Sequence, residues 1–246
     1  MKGLLVTGES ITEKYMKSNG FSIADTHGKY RAFLSDSMKD MVIVVGGLGH
    51  KLSESADWFI NNYSPDFLIS VGHAMSLNQE ISLGDAVFCS KITSLEGPMA
   101  LWSKNSSYIS EVLSSMKFSE FGNKILKNVA TFSDGNLLCT NNIPSKTKMR
   151  YWIGEEFDSS VIDIDSINIS RACLKSAIPY AIVRFVTATV DEKLSVFDRR
   201  SLGEIIKPTY KNYIMPSNIF GSLKRGKRRK KAMHDFNQII SAVGSM

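Results

Sequence analysis

The feature that most constrains this chain is a recurrence of short apolar runs rich in β-branched residues, separated by segments whose apolar positions repeat at helical spacing. The runs fall at 3–7, 41–45, 66–71, 85–92, 125–132, 160–163 and 180–187. Each is short and bounded by turn-forming residues, so each reads as a buried strand. Between them, 53–62 places Ala56, Phe59 and Ile60 on one side of a helix, and 108–116, 145–157 and 166–177 read as further helices. This alternation predicts an α/β fold, a three-layer sandwich with a mixed, largely parallel central sheet flanked by helices. In such sheets the loops at the carboxyl ends of strands carry the ligand. The polar and glycine residues at those ends are Thr7-Gly8-Glu9, Gly46-Gly47-Leu48-Gly49, Gly72-His73-Ala74, Ser133-Asp134-Gly135, Asp163-Ile164-Asp165 and Thr187-Ala188-Thr189.

With 246 residues, 43% of them hydrophobic, the chain has enough apolar surface for one large core. No Pro/Gly/Ser-rich linker interrupts it before about residue 215, which suggests one domain over 1–215 and a helical extension over 216–246. In the extension Ala232, Phe236, Ile239, Ile240 and Val243 share a helical face expected to pack on the domain. The net charge of +6 is concentrated in Lys224, Arg225, Lys227, Arg228, Arg229, Lys230 and Lys231. That run reads either as a contact for an anionic surface, nucleic acid or acidic lipid, or as a solvated face; no aromatic residues interleave it as they do on a base-stacking platform. Cys89, Cys139 and Cys173 lie far apart, without the spacing of a disulfide framework or a zinc site, as in a cytoplasmic protein with reduced thiols. The opening apolar run is too short for a signal segment, and no stretch approaches the ~20 apolar residues of a transmembrane helix.

The order of the turns is more specific than any one of them. Asp66 to Leu77 (DFLISVGHAMSL), then Leu83-Gly84-Asp85-Ala86-Val87, resembles a strand that enters a G-x-A-G-x-L turn and is followed by a G-D-x-V strand. Ser160 to Ser166 (SVIDIDS) resembles the motif (V/A)-(D/E)-M-E-(S/G), and Ile178 to Thr189 (IPYAIVRFVTAT) resembles P-x-x-x-x-R-x-I-S-D. These motifs are those of the purine nucleoside phosphorylases and the methylthioadenosine/adenosylhomocysteine nucleosidases, and the resemblance covers most of 3–192. Within that superfamily, Val6-Thr7-Gly8 and the tail over 215–243 look most like the hopanoid-associated phosphorylase group, which is understood to remove adenine from a lipid-linked adenosyl precursor.

The resemblance implies a pocket for a small nucleoside, no cofactor and no metal, and a homo-oligomer. Cleaving a purine N-glycosidic bond requires stabilising an oxocarbenium-like ribose, protonating the leaving base and supplying a nucleophile from the opposite face. By resemblance Asp165 stands where a Glu accepts hydrogen bonds from the ribose hydroxyls, beside Asp163, and Ile164 replaces a Met that packs on the sugar; Asp165 also reads as the N-cap of the next helix. Ala188 replaces the Asp that protonates purine N7, so Thr187 can only donate a hydrogen bond, and Asp191 or His73 are the candidates to take over the acid's role. His73 sits by the Gly72 turn beside the small Ala74, and it reads equally as a side chain packed over that turn. Leu138, after a turn at 133–138, is placed to pack on the base. Ser70 occupies the place of a phosphate-binding Arg, and although amides around Gly47 can contact an anion, no Arg stands there. Water is therefore the expected nucleophile, with Glu13, and secondarily Glu9, as the group that activates it.

Overall fold

Strands with two apolar faces satisfy their backbone groups by pairing along both edges under helical cover. In the computed structural model of this chain, which describes residues 1–7, 16–28, 30–47, 50–97, 109–115, 132–141, 143–192 and 240, they join one mixed sheet. Its strands are β1 (Lys2–Thr7), β2 (Ser22–His27), β3 (Tyr30–Leu34), β4 (Met41–Gly46), β5 (Phe67–Ser76), β6 (Ala86–Leu95), β7 (Ile109–Ser114), β8 (Phe132–Thr140), β9 (Val161–Asp163) and β10 (Tyr180–Ala188). The helices are α1 (His50–Tyr63), α2 (Thr147–Glu156) and α3 (Ser166–Lys175).

The order along the sheet is β10-β6-β8-β9-β5-β1-β4-β3-β2, and β10 also pairs with β5. The strands β5, β10, β6, β8 and β9 therefore close into a ring, with β1, β4, β3 and β2 as a wing extending from β5. Parallel pairs join β1 to β4 and β5, β5 to β10, and β8 to β6 and β9. Antiparallel pairs form the β2–β3–β4 meander and join β6 to β7 and β10, and β5 to β9. The expected α/β class with a mixed sheet is present, with a larger antiparallel share than strand–helix alternation implied.

Three local expectations are corrected. Residues 109–114, read as part of a helix, form β7; it pairs with β6, its Leu113 packs inward and its Val112 is 50% exposed, a period of two rather than 3.6. Residues 133–138, read as a turn, lie inside β8. Gly72-His73-Ala74, read as a strand-end turn, lies within β5, which runs on to Ser76. The meander strands β2 and β3 were not anticipated, because β2 is exposed along its whole length and carries no apolar run. Residues 125–131 and the basic run at 224–231 lie outside the described residues.

Alternation along β1 splits the core: Leu4 and Val6 face one cluster with Ile43, Ile69, Val183 and Phe185, while Leu5 faces the other. On the second face α1 contributes Leu52, Ala56 and Phe59, and α3 contributes Ile169, Ala172 and Cys173. The first face is covered in part by Met16, Phe21 and Ile240, the one described residue beyond Glu192. A fully buried Leu or Ile stabilises by roughly 1.5–3 kcal/mol, so these clusters dominate the favourable side of folding. All three cysteines are free and buried, and burial raises their thiol pKa values, that of Cys173 to about 12. Among the described residues no helix is long and apolar enough to cross a membrane, and no group of His, Cys, Asp and Glu is placed to hold a metal ion.

Helix α2 lies close against the ring's end, and Gly154 makes that approach possible. A Cβ there would stand 2.9 Å from the Leu77 carbonyl oxygen and 3.0 Å from its Cβ. Replacing a helical glycine by alanine ordinarily stabilises by up to about 1 kcal/mol. Here Gly154→Ala is expected to destabilise by on the order of 1–3 kcal/mol through overpacking; a urea midpoint that rises instead would contradict the close approach.

Candidate functional site

Arg184 is a cation in the middle of an apolar strand, YAIVRFV, and it is wholly buried. A charge there needs a counter-charge at hydrogen-bond distance. It has one in Asp163, 1% exposed, with Nε–H donating to Oδ2 at 2.7 Å. Arg184 Nη1 also donates to the Ser70 carbonyl at 3.3 Å and the Ser70 hydroxyl at 3.1 Å, while Nη2 has no hydrogen-bond partner among the described residues. The bonds join β10 to β9, which are not neighbours in the ring, and to β5.

The other oxygen of Asp163 organises the start of α3. Oδ1 accepts the backbone N–H groups of Asp165 and Ser166 at 3.3 Å each, and Oδ2 also accepts the Ser166 hydroxyl. Asp163, expected to line the ligand, is thus occupied by Arg184 and the helix start. The capping role considered for Asp165 falls to Asp163: Asp165 holds the N-cap position, but its side chain makes no capping hydrogen bond. Its carboxylate is buried at 6% exposure, at the loop just beyond β9.

Strand register places this loop. β1 pairs with β5 as far as Val6 opposite Val71, and β9 pairs with the same edge from Met75 opposite Ile162. Over Gly72-His73-Ala74 one neighbour has ended and the other has not begun, so the sheet splits there. β9 ends at Asp163, so Ile164 and Asp165 form the loop that leaves this edge for α3. Thr7, the last residue of β1, follows its last pair with β5, Val6 opposite Val71. On the opposite edge β10 slips register between Val186 and Ala188, leaving Thr187 as the bulged residue, its hydroxyl 3.5 Å from the Ala74 carbonyl it donates to. Bulges of this kind re-aim a side chain and are frequent beside active sites.

Gly47, His73, Ile164 and Thr187 are half-buried around the split. Gly46 and Gly47 let α1 start close to β4: a Cβ at Gly46 would meet the Ser55 hydroxyl at 2.6 Å, and one at Gly47 would meet Lys51 Cβ at 2.7 Å. Ala188, Leu138 and Met75 pack with Ile162 and the partly buried Ile164 in one apolar cluster. Leu138, expected to touch a base, has no exposed surface, because β8 continues through it and points it into this cluster; it backs the wall rather than forming it. Ala74 is likewise fully packed, in the cluster under α1 and α3. Ser70, in the place of a phosphate-binding Arg, is buried under Arg184. Glu13, Glu9, Leu48 and Gly49 lie outside the described residues.

Asp191 is directed elsewhere. Its Oδ1 accepts the Tyr151 hydroxyl of α2 at 2.9 Å, and Tyr151 in turn accepts from Gln79 at 2.7 Å. It lines a cavity of about 400 Å³ with Asn78, Gln79, Ser82 and Thr189. Arg150, Tyr151 and Met75 were not singled out in the sequence, where nothing separates the buried Arg150 from the exposed Lys148 in the same helix.

Similarity to known proteins agrees with this architecture. A family model described as the phosphorylase superfamily matches residues 10–206. A 5′-methylthioadenosine/S-adenosylhomocysteine nucleosidase from Buchnera aphidicola subsp. Schizaphis graminum is 25% identical over 159 residues, covering 62% of this chain and 68% of that protein. The structure of the Neisseria meningitidis 5′-methylthioadenosine/S-adenosylhomocysteine nucleosidase in complex with methylthio-immucillin-A aligns with a TM-score of 0.70 at 15% identity over 100% of both chains. Native futalosine hydrolase of Helicobacter pylori aligns with a TM-score of 0.64 at 9% identity over 98% of both chains. At such identities the two structures speak for the fold alone.

The two neighbouring carboxylates are expected to differ in how much they contribute to stability. Asp163→Ala removes the counter-charge of a buried Arg and is expected to cost about 3–5 kcal/mol. Asp165→Ala removes no capping bond and is expected to cost less than about 1 kcal/mol. Urea unfolding of both variants checks the contrast, and equal losses would contradict the assignment of the cap to Asp163.

Proposed function

Because this chain belongs to the phosphorylase superfamily, we propose that it is a nucleosidase that cleaves the N-glycosidic bond of an adenine nucleoside with water. The observation that carries this reading is the state of Asp165: it is buried, it does not cap its own helix, and it lies in the loop by which the chain leaves β9. The Buchnera relative, a nucleosidase of 5′-methylthioadenosine and S-adenosylhomocysteine, supports the substrate class.

In this reading Asp165 accepts hydrogen bonds from the ribose diol and stabilises the positive charge that grows on the ring as the C1′–N bond breaks. Ile164 packs against the sugar, and the base leaves along the apolar wall at Ala188. Thr187 donates a hydrogen bond at its edge, and His73 is the imidazole placed to protonate it. Water adds at C1′ and loses its proton to a carboxylate, for which Glu13 is the candidate. Water is favoured over phosphate because Ser70, in place of the anion-binding Arg, is buried under Arg184. A lipid-linked adenosyl substrate is the finer form of the proposal, with the basic run at 224–231 resting on an anionic surface.

A second reading has one specific observation behind it. Ala188, in the place the resemblance gives to the acid, carries no ionisable group and packs with Met75, Leu138 and Ile162. The chain would then bind nucleosides without turning them over.

Chromatographic detection of adenine separates the two. The wild type is expected to release adenine from 5′-methylthioadenosine, and Asp165→Ala to lose on the order of 100-fold or more in kcat/KM while keeping its melting temperature. Tight binding of the nucleoside without adenine release supports the second reading, and undiminished release by Asp165→Ala sinks the first.

A further inference from the structure

Arg150 is as deeply buried as Arg184, with no exposed surface, yet none of its hydrogen bonds goes to a carboxylate. Nε donates to the Val190 carbonyl at 2.8 Å. Nη1 donates to the Pro144 and Ser145 carbonyls at 3.0 and 2.9 Å. Nη2 donates to the Thr147 hydroxyl at 3.0 Å and the Glu192 carbonyl at 2.7 Å. A guanidinium has five N–H donors in a fixed plane, and here each is used.

The acceptors belong to two stretches of chain. Pro144 and Ser145 lie on the segment between β8 and α2, and Thr147 is the first residue of α2 itself; Val190 and Glu192 lie on the segment that follows β10. These are the strands that bring Leu138 and Ala188 into one apolar cluster. β8 and β10 are not neighbours in the sheet, since β6 lies between them, so the ladder does not set their separation beyond its last rung. Arg150 is hydrogen-bonded to the chain beyond both of them. The β10 side is further held by the Val190 N–H donating to the Ser76 hydroxyl at 3.0 Å, and by Tyr151 on Asp191.

We propose that Arg150 is a positioning residue that fixes the distance between the β8 and β10 walls of the nucleoside pocket by binding the backbone of both; the inference rests on the nucleosidase reading. A lysine carries the same charge but only three donors around a point, and it cannot span both segments with the same geometry. Displacing a pocket wall by ~1 Å is enough to lower the rate about 100-fold.

The test uses the full chain, as wild type, Arg150→Lys and Arg150→Met. Amide hydrogen exchange is followed over 144–147 and 188–192, and kinetics are measured with 5′-methylthioadenosine below the melting temperature of each variant. The clamp predicts that both segments exchange faster together in Arg150→Lys, and that kcat falls ~10- to 100-fold while KM moves by less than about threefold. Arg150→Met is expected to show the larger loss; if it does not fold, Arg150→Lys alone decides the matter. A folded Arg150→Lys with unchanged kcat, or with only one segment loosened, overturns the proposal. A wild type that releases no adenine defeats the nucleosidase reading, and the exchange data still decide whether the two segments are tied through Arg150.

Discussion

A cation buried inside a closed ring of strands has to find its counter-charge within the ring, and Arg184 on β10 finds it in Asp163 on β9. Much of the site follows from that pairing. It commits Asp163 to Arg184 and the first turn of α3, and so relieves Asp165 of capping. It also draws in Ser70 from β5, whose carbonyl and hydroxyl both accept from Arg184. A buried ion pair is weak evidence for net stability, because desolvation offsets the attraction. Its contribution here is geometric: it joins strands that do not touch in the ladder and fixes the loop that carries Asp165.

Buried strands were the most legible part of the fold. β1, β4, β5, β6, β9 and β10 announce themselves as apolar, β-branched runs, and the helical spacing of Ala56, Phe59 and Ile60 marks α1. Exposed or mixed strands were not legible: β2 has no buried face, and the apolar positions of β7 fit a helix as well as a strand until β6 is seen beside it. The register slip at Thr187 left no trace in the sequence, because it depends on how β10 meets β5.

The candidate site was legible in its sequence neighbourhoods rather than in its roles. Asp163, Ile164 and Asp165 lie at the end of β9, yet that Asp163 and not Asp165 caps α3 is something only tertiary partners decide. Leu138, expected to pack on a base, is buried in an apolar cluster, since a strand continues where a turn was read. Asp191 points to Tyr151 because α2 packs there, a contact made across 40 residues of sequence.

The closure of the ring has a temporal side. Arg184 meets Ser70 across 114 residues and Asp163 across 21, so the last strand of the ring is also the last to leave the ribosome. Until β10 emerges, the carboxylate on β9 has no cation to face, and β5 and β6 lack a neighbour between them. Contacts of such long range make folding slow, and partly made chains with open strand edges are vulnerable to mispairing. The nascent chain thus commits to its native topology late, when a single strand slots between two that are already in place.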